Sequence, residues 1–353
     1  MKQDIKHRIS AFVQLGKVFG QLSQDQDWPG FESGLTSEEW AGFKHLIDTE
    51  HQFNGWFTPQ NIKNALQSWA DALTEANLEK FIAPYSADLE TVDQKTVAII
   101  CAGNIPLVGW HDVMCTLLSG HKCLIKLSSD DQNLIPASLI ILGKFWPELQ
   151  EKYAFERGKI TAFDAVIATG SNNTSRYFNQ YFGDYPNIIR KSRTSIAILD
   201  GTETKEELAA LGKDIFSYFG LGCRSITKIY APEGFNLDRV FEAIYPFNPI
   251  INHNKYANNY DYNKAIWMLN QDDLIENGFI LFKQDEKLTA PTGSMYYEYY
   301  SDEQVLRDKI NAMTEDIQCI VSHKDTPFGQ AQCPMLWDYA DGVDTMKFLS
   351  QLR

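Results

Sequence analysis

The chain has 353 residues, 44% of them hydrophobic and 22% charged, which is the composition of a folded globular protein of two or three domains and excludes global disorder. Its formal net charge of −14 excludes a general nucleic-acid or membrane-surface binder, because both need a basic field. No apolar run approaches the ~20 residues of a membrane-spanning helix, so no membrane span is expected.

In chain order, MKQDIKHRISAFVQLGKVFGQL at the start reads as an amphipathic helix rather than a signal peptide. Thr36-Ser37-Glu38-Glu39 and Thr58-Pro59 read as further helix starts, the second with proline in the first turn. The first 90 or so residues are helical in pattern throughout and need a later core to pack on. From Thr96 the pattern changes. The run 97–102 is short and continuously apolar, the runs 122–127, 165–169 and 195–200 are similar, and helix-length segments separate them. That alternation predicts a parallel sheet covered on both faces, with ligands at the carboxyl ends of its strands. The segment after Gly201 is a helix by periodicity, with Gly220 as its stop. Strands are predicted at 224–232, 278–283, 295–300 and 317–323, and Ser301-Asp302-Glu303-Gln304 reads as a capping box. The last segment reads as loop and then helix.

Six cysteines, Cys101, Cys115, Cys123, Cys223, Cys319 and Cys333, are scattered without C-x-x-C pairs, so free thiols in a reducing cytoplasm are expected, with neither disulfides nor a metal site. His111, His121 and His253 are isolated and read as structural. Cys223 lies between a helix end and a strand start in Gly220-Leu221-Gly222-Cys223-Arg224-Ser225. It is either an exposed nucleophile, its thiolate favoured by Arg224, or an ordinary buried thiol. Asn104 follows the first sheet strand and is either an oxyanion donor or a helix cap. Thr169-Gly170-Ser171 through Thr174 opens a helix, where backbone amides and hydroxyls bind phosphate or merely cap. Lys126, Ser128 and Ser129 end the second strand, the place where such sheets read a ribose or its 2′-phosphate. Asp130 and Asp131 are expected to turn away towards the next helix. Arg190-Lys191-Ser192-Arg193 is a basic cluster facing either a phosphate-rich ligand or water. No G-x-G-x-x-G occurs.

Taken together these pieces resemble, in order and spacing, the aldehyde dehydrogenase superfamily. GNIPL (103–107) resembles its oxyanion-asparagine segment, GHKCLIKLSSDD (120–131) its cofactor-lysine segment, and ATGSNNTSRYF (168–178) its phosphate loop. FGLGCRS (219–225) resembles its nucleophile segment, TPFGQ (326–330) its P-F-G-G piece, and residues 294–325 the strand–helix–strand between them. The likeness runs from Thr96 to about Phe348. Within the superfamily the chain is most similar to the luminescence-type fatty acyl-CoA reductases (the LuxC family), on its short length and the ending WDYADGVDT.

This resemblance implies an α/β fold: a Rossmann-like cofactor domain with a helical N-terminal region (1–202), a second α/β catalytic domain carrying Cys223 (203–323), and a C-terminal segment returning to the first domain (324–353). It implies NADPH-dependent reduction of long-chain acyl-CoA or another acyl thioester to aldehyde through a cysteine thioester, with coenzyme A as leaving group. Cys223 is the nucleophile and Asn104 the oxyanion donor; Lys126, Ser128, Ser129, Thr169, Gly170, Ser171 and Thr174 hold the cofactor. It leaves room for an acyl-activating partner enzyme and for self-association. Hydrolytic aldehyde dehydrogenases carry a glutamate in an E-L-G-G segment, whereas the matching residues 190–195 contain no carboxylate, which favours exchange with a thiol over hydrolysis. The family's second glutamate has no clear match; Glu286 is nearby. The alternatives are a water-using NAD(P)-dependent aldehyde dehydrogenase and a cysteine acyltransferase or thioesterase without redox chemistry.

Overall fold

The computed structural model describes residues 3–352. The chain divides into two compact units, one made of the residues up to Lys191 together with those from Met335 onward, the other of Ser192–Pro334. No helix among the described residues is long and apolar enough to cross a membrane.

The first unit is built on five parallel strands, β1 (Thr96–Ile100), β2 (Lys122–Lys126), β3 (Tyr153–Phe155), β4 (Ala165–Thr169) and β5 (Asn187–Arg190), in the order β3-β2-β1-β4-β5. The two faces of central β1 feed different clusters. Val97 and Ile99 join a large core with the helices Gln3–Ser23, Pro59–Ala72, Trp110–Ser119 and Leu134–Phe145, while Ala98 packs with Val166, Ala168 and Phe178 on the other face. The N-terminal helices thus bury their apolar stripe on the sheet's core. Helix Gln3–Ser23 sinks Ile5, Phe12, Leu15, Phe19 and Leu22 at helical spacing. Thr36 and Thr58 cap their helices as expected, Thr36 in a full capping box.

The second unit carries β6 (Thr194–Ile198), β7 (Ile226–Pro232), β8 (Leu274–Glu276), β9 (Leu281–Gln284), β10 (Ser294–Tyr300) and β11 (Ile317–Val321), ordered β11-β6-β7-β10-β9-β8. All neighbours are parallel except β8 and β9. The run at 195–200, grouped in the sequence with the first sheet, forms β6 and pairs with β7 and β11 of this second sheet. Helix Lys205–Phe216 covers one face through Leu208, Leu211 and Ile215, and helix Glu303–Asn311 covers the other through Leu306 and Ile310. Asp302, not Ser301, caps the latter helix, accepting from the Gln304 and Val305 N–H groups.

At the carboxyl ends of β6 and β11, His323 bridges two acids. Its Nδ1 lies 2.8 Å from Asp200 Oδ2 and its Nε2 lies 3.1 Å from Glu207 Oε1. Both nitrogens can donate only in the imidazolium. The hydrogen bond to Asp200, with that to Glu207, raises the His323 pKa above the usual histidine value. A raised histidine stabilises the fold fully below its unfolded value, and that contribution is lost as pH rises through the folded value. The clasp is largely solvated, so its contribution is small. As pH rises from the usual histidine range through the raised value, the unfolding midpoint of the wild type should therefore fall more than that of His323→Ala in scanning calorimetry. Equal pH slopes would show that the clasp contributes nothing.

Candidate active site

In the first unit the candidate residues gather at the carboxyl edge of the sheet. β1 ends at Ile100 beside Lys126 of β2 and Ala168 of β4. The loop that follows carries Asn104, which is exposed. The next helix starts at Trp110 with Gly109 at its N-cap position, so Asn104 is not its cap. The loop is packed against the end of β2. A Cβ on Gly103 would stand 2.5 Å from Ser128 Oγ and 3.1 Å from Asp131 N, an approach only glycine permits. Leu107 sits in the left-handed region (φ 59°) although its side chain is buried, and its N–H donates to Asp131 Oδ2 at 3.1 Å. Such a conformation costs about 1–3 kcal/mol and is kept only where the surroundings enforce it.

Lys126 Nζ donates to the Gly158 carbonyl, 2.8 Å away, in the connection after β3. Ser128 closes a tight turn, its Oγ accepting from the Asp130 N–H at 3.2 Å, and Ser129 is exposed. Asp130 is exposed, whereas Asp131 is buried and turned to the start of helix Leu134–Phe145. After Thr169, Ser171 caps helix Asn172–Phe182, accepting from the Thr174 N–H at 3.2 Å, and the two hydroxyls lie 2.9 Å apart. A Cβ on Gly170 would be 3.0 Å from the side chains of Thr174 and Phe178, so this turn too is closed tightly on its helix. Arg190 is neither solvated nor aimed at a ligand. It is buried, with Nη1 2.6 Å from Asp112 Oδ2 and Nη2 2.9 Å from Thr345 Oγ1.

In the second unit, helix Lys205–Phe216 ends before Gly220. Three successive residues, Tyr218 (φ 53°), Phe219 (φ 59°) and Gly220 (φ 75°), are left-handed, and Cys223 follows them. The turn is held from several sides. Phe219 packs against His253 with ring centroids 4.2 Å apart and planes tilted by 31°. Ser195 Oγ on β6 donates to the Cys223 carbonyl at 2.9 Å, and Gly222 N–H donates to Ser225 Oγ at 3.2 Å. Gln332 Nε2 donates to Ser225 Oγ at 3.2 Å, and Arg224 Nε donates to the Ala331 carbonyl. Asp214, fully buried on the same helix, accepts the N–H groups of Gly329 at 2.6 Å and Ala331 at 2.9 Å. The T-P-F-G-Q segment and the cysteine turn are thus one hydrogen-bonded assembly. A small cleft of mixed polarity, lined by Phe219, Ile226, Thr227, Tyr256, Thr292 and Ser294 among others, adjoins it.

The family described as Acyl-CoA reductase (LuxC) matches residues 44–243, more than half of the chain. The chain belongs to the acyl-CoA reductase (LuxC) family. It is similar to a long-chain acyl-protein thioester reductase of Aliivibrio fischeri, 24% identical over 55% of this chain and 45% of that protein. It is also similar to long-chain acyl-protein thioester reductase 2 of Photobacterium leiognathi, 25% identical over 37% of this chain and 30% of that protein. The matched stretch spans less than half the length of either relative. Among solved structures, the aldehyde dehydrogenase PutA of Anabaena variabilis aligns over 99% of this chain and 92% of its own, with a TM-score of 0.64 and 14% identity. HpcC of Thermus thermophilus aligns over 91% and 70%, with a TM-score of 0.62 and 12% identity. The fold of this LuxC-family chain is the aldehyde dehydrogenase-like α/β fold.

Reasoning from sequence turned Asp131 towards the next helix, where its Oδ1 accepts the Leu134 N–H, but missed its bond to the Asn104 loop and the whole role of Asp214. The missed donors are remote in sequence, Leu107 lying 24 residues from Asp131 and Gly329 115 residues from Asp214. The cysteines are legible in outline. None of the six forms a disulfide; Cys101, Cys115, Cys123 and Cys319 are buried, Cys223 is half-buried and Cys333 is exposed. Burial pushes the Cys101, Cys115 and Cys123 thiols well above the usual thiol range. Native alkylation with iodoacetamide should therefore label Cys333 and Cys223 and leave the other four unmodified until the chain is unfolded, as read by peptide mass spectrometry. Native labelling of Cys115 or Cys123 would contradict this burial.

Proposed function

We propose that the protein is an NADPH-dependent reductase converting an acyl-CoA or other acyl thioester, long-chain by the family's likeness, to the aldehyde. The observation that carries this reading is Cys223: a half-buried thiol on a turn fixed by three left-handed residues, in a chain of the acyl-CoA reductase family. Strained backbone of this kind is kept where a side chain must be held at one place.

A nicotinamide dinucleotide fits the donor set on the first unit's sheet edge. Lys126 and the exposed Ser129 stand where a ribose and its 2′-phosphate would be read, and the amides opening helix Asn172–Phe182 suit a pyrophosphate. Thr169, Gly170 and the paired hydroxyls of Ser171 and Thr174 shape that turn, and Ser128 keeps a hydroxyl proton to donate. When bound, the cofactor supplies a hydride. The Cys223 thiolate attacks the thioester carbonyl, forms a new C–S bond and expels coenzyme A as its thiolate. After reduction the thiohemiacetal collapses, its C–S bond breaks, and aldehyde and the Cys223 thiolate are released. The Asn104 carboxamide donates to the oxyanion of both tetrahedral species. Residues 190–195 offer no carboxylate to activate water, Arg190 being engaged with Asp112, so the acyl-enzyme persists until hydride arrives. An acyl-activating enzyme that hands over its product as a thioester is the partner class this reading implies. Six cysteines without a disulfide suit a reducing cytoplasm.

The test is NADPH oxidation with acyl-CoAs of graded length, product aldehyde being identified by chromatography. Cys223→Ala should abolish turnover, and no neighbouring group can replace the thiolate. Asn104→Ala should lower turnover roughly 100- to 1000-fold with cofactor affinity retained. A fall below about threefold would remove Asn104 from the oxyanion site. Lys126→Ala should raise KM for NADPH much more than KM for NADH, since charge-assisted hydrogen bonds to a 2′-phosphate are worth about 1.5–3 kcal/mol each. Equal weakening of both cofactors would place Lys126 on the shared ribose, and a wild-type preference for NADH would overturn the NADPH assignment.

A further inference from the structure

Asp131 is 1% exposed and its two carboxylate oxygens serve two different loops. Oδ2 accepts the Leu107 N–H at 3.1 Å, and Oδ1 accepts the Leu134 N–H at 3.3 Å at the first residue of helix Leu134–Phe145. Leu107 is the left-handed residue of the Asn104 loop, and its carbonyl in turn accepts the Trp110 N–H at 3.0 Å. The same carboxylate therefore ties the end of β2 to the loop leaving β1, three residues from Asn104. A second carboxylate stands behind it. Glu50, also 1% exposed, accepts from Asn133 Nδ2 at 3.2 and 3.1 Å, and Asn54 Nδ2 donates to the Asp130 carbonyl at 3.1 Å. The loop after β2 is held from beneath, so Asp131 is a fixed acceptor and not a passenger on a mobile turn.

We infer that Asp131 is a positioning residue for the reduction proposed above: its ionised carboxylate holds the Asn104 loop in the conformation that presents the carboxamide to the oxyanion. The inference rests on the role given to Asn104. An asparagine has one acceptor oxygen for two N–H groups, and a protonated carboxyl has one good acceptor and one weakly accepting hydroxyl oxygen, so either change loosens the hold on one of the two loops. Leu107 is the more exposed to release, because its left-handed backbone has to be enforced. Burial in a low-dielectric site pushes the Asp131 pKa up to about 7, and the Glu50 carboxylate adds to the rise. Facing Asp131 are two titratable groups, Glu50, itself raised by burial, and the Cys101 thiol, raised beyond the physiological range.

The experiment measures single-turnover release of coenzyme A from acyl-CoA, without cofactor, by chromatography. Wild type, Asp131→Asn, Asn104→Ala and the double variant are compared, with NADPH affinity measured in parallel by fluorescence. Asp131→Asn should slow acylation at least about 10-fold while NADPH affinity stays within about twofold; in the Asn104→Ala background the same change should cost less than about twofold. A second measurement needs no change at Asp131. The ratio of wild-type to Asn104→Ala acylation rates cancels the titration of the thiol common to both. It should fall about 10-fold as pH drops from about 8 to about 6. Wild-type rates in Asp131→Asn, full additivity with Asn104→Ala, or a ratio independent of pH would each overturn the inference. Absence of coenzyme A release from wild type would overturn the functional reading, and the inference with it. A reactive wild type beside an unaffected Asp131→Asn would overturn the inference alone.

Discussion

A carboxylate buried in a protein interior loses most of its hydration, and the loss is recovered only when several donors replace the water. Each unit of this chain meets that constraint beside its candidate chemistry. Asp131 gathers the N–H groups of Leu107 and Leu134, and Asp214 gathers those of Gly329 and Ala331. Burial pushes the two acids up to about 7 and about 6, the mark of groups held for their geometry against a solvation cost. The loop carrying Asn104 and the segment bracing the Cys223 turn both depend on these acceptors.

Much of the scaffold was legible because local chemistry and tertiary context agree there. Thr36 and Thr58 cap helices that their following residues announce, and β1 and β4 are apolar but for one terminal threonine each. What escaped was short or remote. β3 and β8 have three residues each, with two exposed positions in each, so neither shows a period. The left-handed run before Cys223 uses tyrosine and phenylalanine, which do not favour that region, and is imposed by packing such as that of Phe219 on His253. Arg190 read as part of a solvated or ligand-facing basic cluster because its partners, Asp112 and Thr345, lie 78 and 155 residues away.

The candidate site was legible in its residue types more than in its supports. Asn104, Lys126, Ser128, Ser129 and Thr169 through Thr174 lie at the carboxyl ends of parallel strands, where the alternation of strands and helices put them. Several are also tied up locally. Ser171 and Thr174 satisfy each other, and Lys126 donates to a backbone carbonyl. Cofactor binding at this edge would exchange these internal bonds for bonds to phosphate and ribose, so affinity depends on their difference and not on their sum.

The proposed reduction stands or falls on acylation of Cys223. Intact-mass and peptide mass spectrometry of the wild-type protein, mixed with a long-chain acyl-CoA in the absence of nicotinamide cofactor, tests it directly. One added acyl group per chain is expected, carried by the Cys223 peptide and discharged when NADPH is supplied. An unmodified chain, or an acyl group found on the exposed Cys333 instead, would contradict it.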